Sequence, residues 1–362
     1  MKHTFLFLIS SFIGIFIISS CNEEVDMIGD FEETAIVYGL LDKAETTHFI
    51  KITRAFIGPG NSLEIAQIPD SSYFNQIDAT ITERINGVET RVWTLQDTIV
   101  ENKETNGAFY APTQKLYYFT TTTAAPLSDN GLYTLNVSVN GGEFEVTGIT
   151  ELVSGINTTA DGQSYRFDFV ENPGVFQQKA ISVNVGNSSI VNTTLEVFYK
   201  EFETGVDTTL RSFKWNLGEY AVTPQGSQSF TVVGKTFYEL MKASVSSNAA
   251  IDKRQMYSVK IIVTGGAEDL YNYMSVNQPS SSLAQNKPTF TNLTATNDHK
   301  VIGIFSSRRT YTIEKFFINP DNSALRMMAQ KSVVELCTGA ITGNLHFCSQ
   351  HDGDNGTAYE CP

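Results

Sequence analysis

The stretch DNGLYTL, residues 129–135, reads as a turn that delivers an aromatic residue into a strand. Asp129, Gly131 and Tyr133 stand in D-x-G-x-Y order. A phenol just inside a strand can reach back to the loop it has left, so the signature matters where the surrounding chain is a set of short strands. Runs at 35–41, 47–56, 78–85, 91–98, 115–122, 132–140 and 143–151 are rich in β-branched and aromatic residues, with polar breaks between them. Asn86-Gly87 and Gly141-Gly142 occupy two of the breaks and accept the positive φ that tight hairpins demand.

Seven short strands with a D-x-G-x-Y turn resemble an immunoglobulin-like antiparallel β-sandwich, in which Tyr133 would form the tyrosine corner. Leu135 takes the place of the second core cysteine of antibody domains, so the corner is expected without that disulfide. The expected unit covers residues 35–152. From residue 155 the pattern changes. Strand runs at 164–170, 179–186, 193–202, 209–217, 256–266 and 301–316 are joined by two helical segments, 235–247 and 267–277, and a long loop follows the second. The fold class is therefore mainly β, with a second β-rich domain over 155–362 that carries two short helices and a cysteine-containing tail.

The N-terminus reads as an address. Lys2 and His3 precede an apolar run from Phe5 to Ile18, which is shorter than the about 20 residues a spanning helix needs. Ile18-Ser19-Ser20-Cys21 resembles a bacterial lipobox, so residues 1–20 are expected to be a lipoprotein signal and Cys21 the acylated residue that enters outer-membrane lipid. Residues 21–34 then form an acidic tether. Its Glu23, Glu24 and Asp26 resemble the signal that sends Bacteroidetes-type lipoproteins to the outer face of the outer membrane. The expected location is the outer membrane, lipid-anchored and facing the exterior.

Composition narrows the partners. The chain has 25 Lys+Arg against 39 Asp+Glu, a net charge of −14, which argues against nucleic acid and its phosphates. Beyond Cys21 the cysteines are Cys337, Cys348 and Cys361, and export permits disulfides. One bridge and one free thiol are expected. Cys337 with Cys348 is favoured because the segment between them reads as a hairpin, and Cys348 with Cys361 is the rival.

Four features in order carry a family resemblance: the lipobox at Cys21, the strand VYGLLD followed by FIKITRAF, the EDLYNYM segment, and the late VIGIFSSR strand. Together they resemble the domain-of-unknown-function 4249 family of Bacteroidetes outer-membrane lipoproteins. The resemblance implies an accessory role beside a TonB-dependent outer-membrane transporter as partner. It supplies no catalytic or ligand residues.

Signatures of chemistry are sparse. G-x-S-x-G, G-x-x-x-x-G-K-[ST], G-x-G-x-x-G after a strand and H-E-x-x-H do not occur. Glu201 and Glu203 share a strand face, a spacing common in solvated strands. Asp352 and Asp354 have the alternate spacing of a calcium loop, but Asn355 and Glu360 fall out of register for it, and a solvated loop is the expectation. No metal, cofactor or catalytic residue is expected. The favoured function is a surface-anchored, non-catalytic lipoprotein that assists a transporter or captures a ligand. The alternatives are a hydrolase of glycans or peptides and a structural adhesin of the cell envelope.

Overall fold

The computed structural model describes residues 33–55, 64, 66–101, 110–246, 248–277, 289–318 and 325–362. The signal, Cys21 and the acidic residues Glu23, Glu24 and Asp26 lie outside them. The strands of the first half are β1 (Thr34–Asp42), β2 (Thr47–Ala55), β3 (Ile77–Ile85), β4 (Val88–Thr94), β5 (Gln96–Val100), β6 (Gln114–Thr120), β7 (Gly131–Val139) and β8 (Phe144–Glu151). The second half continues with β9 (Ile156–Thr158), β10 (Val170–Asn172), β11 (Val175–Phe176), β12 (Gln178–Val185), β13 (Ile190–Glu203), β14 (Thr209–Ala221), β15 (Ser227–Val233) and helix α1 (Gly234–Ser244). It ends with β16 (Ile251–Gly266), helix α2 (Glu268–Asn277), β17 (Leu293–Ala295), β18 (Lys300–Phe316) and helix α3 (Gln330–Thr338).

The fold is mainly β, built as two sandwiches that share one sheet. In the first, β1-β2-β6-β5 face β8-β7-β3-β4. These are the A-B-E-D and G-F-C-C′ orders of the immunoglobulin sandwich. Alternation drives the packing: Ala35 and Val37 of β1, Ile50 and Ile52 of β2, and Leu135, Val137 and Val139 of β7 all point into one core. Asn86 and Gly87, both at positive φ, close the β3–β4 hairpin.

The run at 91–98, expected as one strand, is two. At Leu95, buried with its N–H on Ala79 O, the chain leaves β4 in one sheet and enters β5 in the other. The inward phase shifts by one residue there: Trp93 and Leu95 turn inward before the break, and Thr98 and Val100 after it.

The core changes between Leu152 and Val153, near the expected boundary. The later chain does not stay in the second unit, however. β17 pairs antiparallel with β8, and residues 300–308 of β18 pair parallel with β1. Both strands cover edges of the first sandwich that would otherwise present unpaired backbone groups. Gly303, at φ +107°, lets β18 approach β1: a Cβ there would sit 2.0 Å from Val37 O. The rest of β18 pairs with β16, giving one eight-stranded sheet, β14-β13-β16-β18-β1-β2-β6-β5, that runs through both sandwiches.

The second sandwich sets this sheet against β15-β12-β9. Helix α1 buries Phe237, Tyr238 and Met241 in its core, at the helical spacing expected. Residues 164–169 are not the strand expected. Phe167 and Phe169 are buried, but the backbone there bonds to the tail through Phe167 N–H to Met327 O and Ala329 N–H to Phe167 O. A third helix, α3, adds to the two expected and buries Val333, Leu336 and Cys337. No helix among the described residues is long and apolar enough to cross a membrane.

Candidate functional site

The tyrosine corner is formed. Tyr133 is fully buried, accepts from Ser128 N–H at 2.7 Å and donates to Glu83 Oε2 at 2.6 Å. Gly131 is required sterically, because a Cβ there would lie 2.8 Å from the Tyr133 ring. Asp129 is exposed at the turn and pairs with Lys43. These three residues hold the sandwich together and bring no chemistry to a site.

The disulfide joins Cys348 to Cys361, and Cys337 is a free, buried thiol. The favoured pairing of Cys337 with Cys348 is thus corrected. Cys337 lies on the buried face of α3, and a helix end with a 3-10 turn (Gly343–Leu345), not a hairpin, follows it. Cys348 N–H instead bonds Arg254 O, and Cys361 N–H bonds Ser349 O, which brings the bonded pair together.

The tail does not form a separate unit. Arg254, buried in β16, donates to Leu345 O and Ser246 O and pairs with Glu201 at 2.9 Å. Arg211 also pairs with Glu201, so this carboxylate is spent on structure. Asp354 is fully buried against Arg326, with Ser349 Oγ donating at 2.6 Å, while Asp352 is exposed. The two do not share a calcium loop, and among the described residues no group of three or more His, Cys, Asp or Glu could hold a metal ion.

A groove of about 520 Å³ lies on the outer face of the shared sheet. Side chains that alternate away from the core form its floor: Tyr38 and Leu40 of β1, Phe49 of β2 and Ile304 of β18. Helix α2 forms one wall with Leu270, Tyr273 and Met274. The helix buries no residue fully and is tied down by Ala267 N–H to Ser307 O, Asn292 Nδ2 to Asp269 and a 3.0 Å bond between the Tyr38 and Tyr273 hydroxyls. Burial, then the bond to Tyr273, pushes the Tyr38 phenol up to about 12, so it stays neutral and free to donate or accept.

Asp42, Glu45 and Arg308 close the other end of the groove. Asp42 is buried, and its oxygens accept from Ala44 N–H and from the Thr310 hydroxyl, with Arg308 Nε at 3.6 Å. Its lone pairs are therefore engaged in holding the end of β1. Arg308 keeps 46% of its side chain exposed. His48 is buried and stacks on Phe119, with Thr121 Oγ1 at 3.3 Å. Burial lowers it to about 4, with Asp42 opposing, so the imidazole is neutral at physiological pH. The apolar face stays open at Phe49 in the groove and at Ile302 beyond it, 44% and 40% exposed.

The β1–β2 hairpin, helix α2 and strand β18 meet here. Tyr38, Leu40 and Asp42 come from VYGLLD, and Phe49 opens FIKITRAF. Leu270, Tyr273 and Met274 come from EDLYNYM, and Ile304 and Arg308 from VIGIFSSR. The long-range pairing of β1 with β18 brings the last two segments to the β1–β2 hairpin, so no local pattern marks the whole site. No protein-family model matches the chain, and no curated protein shows significant similarity to it.

Proposed function

We propose that this chain is a non-catalytic lipoprotein, anchored through Cys21 to the outer membrane and facing the exterior, that captures a ligand in the groove between α2 and the shared sheet. In this reading it belongs with the domain-of-unknown-function 4249 proteins and serves a TonB-dependent transporter. One observation carries the proposal: VYGLLD, FIKITRAF, EDLYNYM and VIGIFSSR, the strand and helix segments of the family resemblance, each contribute to one groove. The lining supports binding over turnover. Its floor and helix wall are apolar and phenolic, its buried acid Asp42 has its oxygens engaged, and the His48 imidazole at its edge is stacked on Phe119. Such a site can desolvate an apolar body and orient it with a few polar groups.

A photo-crosslinking amino acid at Met274 or Phe49, expressed in the native host, tests the reading. Crosslinks to a small molecule or a transporter at these positions are expected, and none at Val88, which is exposed on β4. The same products at all three positions would refute it.

A further inference from the structure

A second groove, of about 470 Å³, lies between α3 and the turn that joins β10 to β11, far in sequence from the first. Its walls are Pro173, Val334 and Ala340, and Glu335 lies at its floor. Glu335 is only 6% exposed. One carboxylate oxygen, Oε2, accepts from Gly174 N–H at 3.0 Å. The other, Oε1, has no hydrogen-bond or ion-pair partner among the described residues. Oε1 is not among the fully buried unpartnered oxygens, so it opens to the groove, where water or a cation can reach it.

Two neighbours sharpen the geometry. Lys331 stands one helical turn before Glu335, at the spacing of a salt bridge, but its ammonium donates to Glu171 O at 2.6 Å instead. Lys before Glu is also the poorer orientation for such a pair. Gly339 ends α3 with φ −68° and ψ 162°, values open to any residue. A Cβ there would lie 2.3 Å from Glu335 Oε1 and 2.4 Å from Glu335 O, so both the carboxylate and the helix-end carbonyl need the glycine. The glycine keeps the open oxygen in place.

We infer that this groove binds an alkylammonium group, carried by a free amine or a lysine side chain, on Oε1 of Glu335. The chemistry selects this class. A guanidinium pairs best as a fork on both carboxylate oxygens, and Gly174 already occupies one. A divalent metal needs several oxygen ligands, and a single open carboxylate oxygen supplies too few. An ammonium is a compact charge that needs few acceptors, and its alkyl stem matches the apolar walls. The net charge of −14 favours the approach of a cation.

The test is calorimetric titration of the intact protein with 1,5-diaminopentane and with Nα-acetyl-lysine methylamide. The controls are 1-pentanol and Nα-acetyl-arginine methylamide. Binding of an amine is expected, with the controls weaker by about tenfold, as loss of one charge-assisted hydrogen bond implies. Glu335→Gln and Gly339→Ala should each lose a similar factor, whereas Lys331→Met, which removes a competing cation, should tighten binding. Binding of the diamine alone assigns the groove to free amines, and binding of the lysine derivative assigns it to side chains. The Glu335 carboxyl 13C signal in the unmutated protein should shift on addition of the amine, which keeps the test sound if a variant fails to fold. Equal binding by Glu335→Gln, or a carboxyl signal unmoved by either amine, would overturn the inference.

Discussion

Tyr133 of β7 donates its hydroxyl proton to Glu83 of β3 across 2.6 Å, so the tyrosine corner rests on a buried carboxylate as well as on its own loop. Glu83 also accepts from Arg91 Nε at 2.9 Å and Thr90 Oγ1 at 2.7 Å, and Arg91 reaches Pro126 O at 2.9 Å. Strands β3, β4 and β7 and the loop before β7 are thereby tied through one charge. Tyr133→Phe should cost roughly 1.5–3 kcal/mol, the range for a hydrogen bond to a charged group, and leave the fold intact. Denaturant melts measure it, and an unchanged midpoint would contradict the network.

Gly131→Ala drives a methyl group against the Tyr133 ring. Overpacking of this kind costs about 1–3 kcal/mol. In the background of Tyr133→Ala, which removes the clashing ring, the same substitution should cost much less. A double-mutant cycle by chemical denaturation reads the difference, and additive effects would argue against the contact.

Two pH windows follow from buried groups. Burial would raise the Glu83 carboxyl, but hydrogen bonds from Arg91, Tyr133, Thr90 and Ser128 N–H outweigh it and hold the group at about 2. A folded-state value below the unfolded one gives stability that is present above pH 4.5 and is lost as pH falls toward 2. His48 is also depressed, from 6.5 to about 4, chiefly by burial. The unfolded chain takes up that proton first, so stability falls between pH 6.5 and 4. Glu83→Gln should flatten the lower window and His48→Gln the upper one in melts across pH. Identical profiles for native and variants would contradict both assignments.

The cysteines should react unequally. Burial pushes the Cys337 thiol up to about 12, so iodoacetamide should modify it only after unfolding. Replacing Cys348 and Cys361 by serine should loosen the tail, by about 3 kcal/mol from the chain-entropy relation for a short loop. Peptide mapping with and without reductant checks both, and rapid labelling of Cys337 in the native state would overturn its placement.

Membrane attachment is tested at the N-terminus. A clickable fatty-acid analogue should label the native chain and fail to label Cys21→Ala. Protease added to intact cells should degrade the native protein, whereas alanine at Glu23, Glu24 and Asp26 should protect it until lysis. Labelling of both chains, or protection of the native one, would contradict the anchored, outward-facing reading.

The local elements were legible where one period and one partner sufficed. The alternation of β1, β2, β7 and β13 and the helical spacing of α1 are visible in the chain, as is the D-x-G-x-Y turn. What escaped was long-range. The change of sheet at Leu95 depends on which sheet each half of the run joins, and β18 reads as one strand without revealing that its two halves serve different sandwiches. Helix α3 is short, and in QKSVVELCT only Val333, Leu336 and Cys337 mark its buried apolar face, too few to declare a period. The groove could not be read at all, since β1, β2, α2 and β18 come together only through the shared sheet.

The central claim is that the groove holds a ligand that the protein does not alter. Native mass spectrometry of the full-length protein, extracted from its own membranes in mild detergent, tests it most directly. The account predicts a bound species of defined mass, unchanged on prolonged incubation, and its loss in Met274→Trp, where the indole fills the space beside Tyr38 and Leu40. A bare protein, the same adduct in the filled variant, or conversion of the bound species to a product would contradict it.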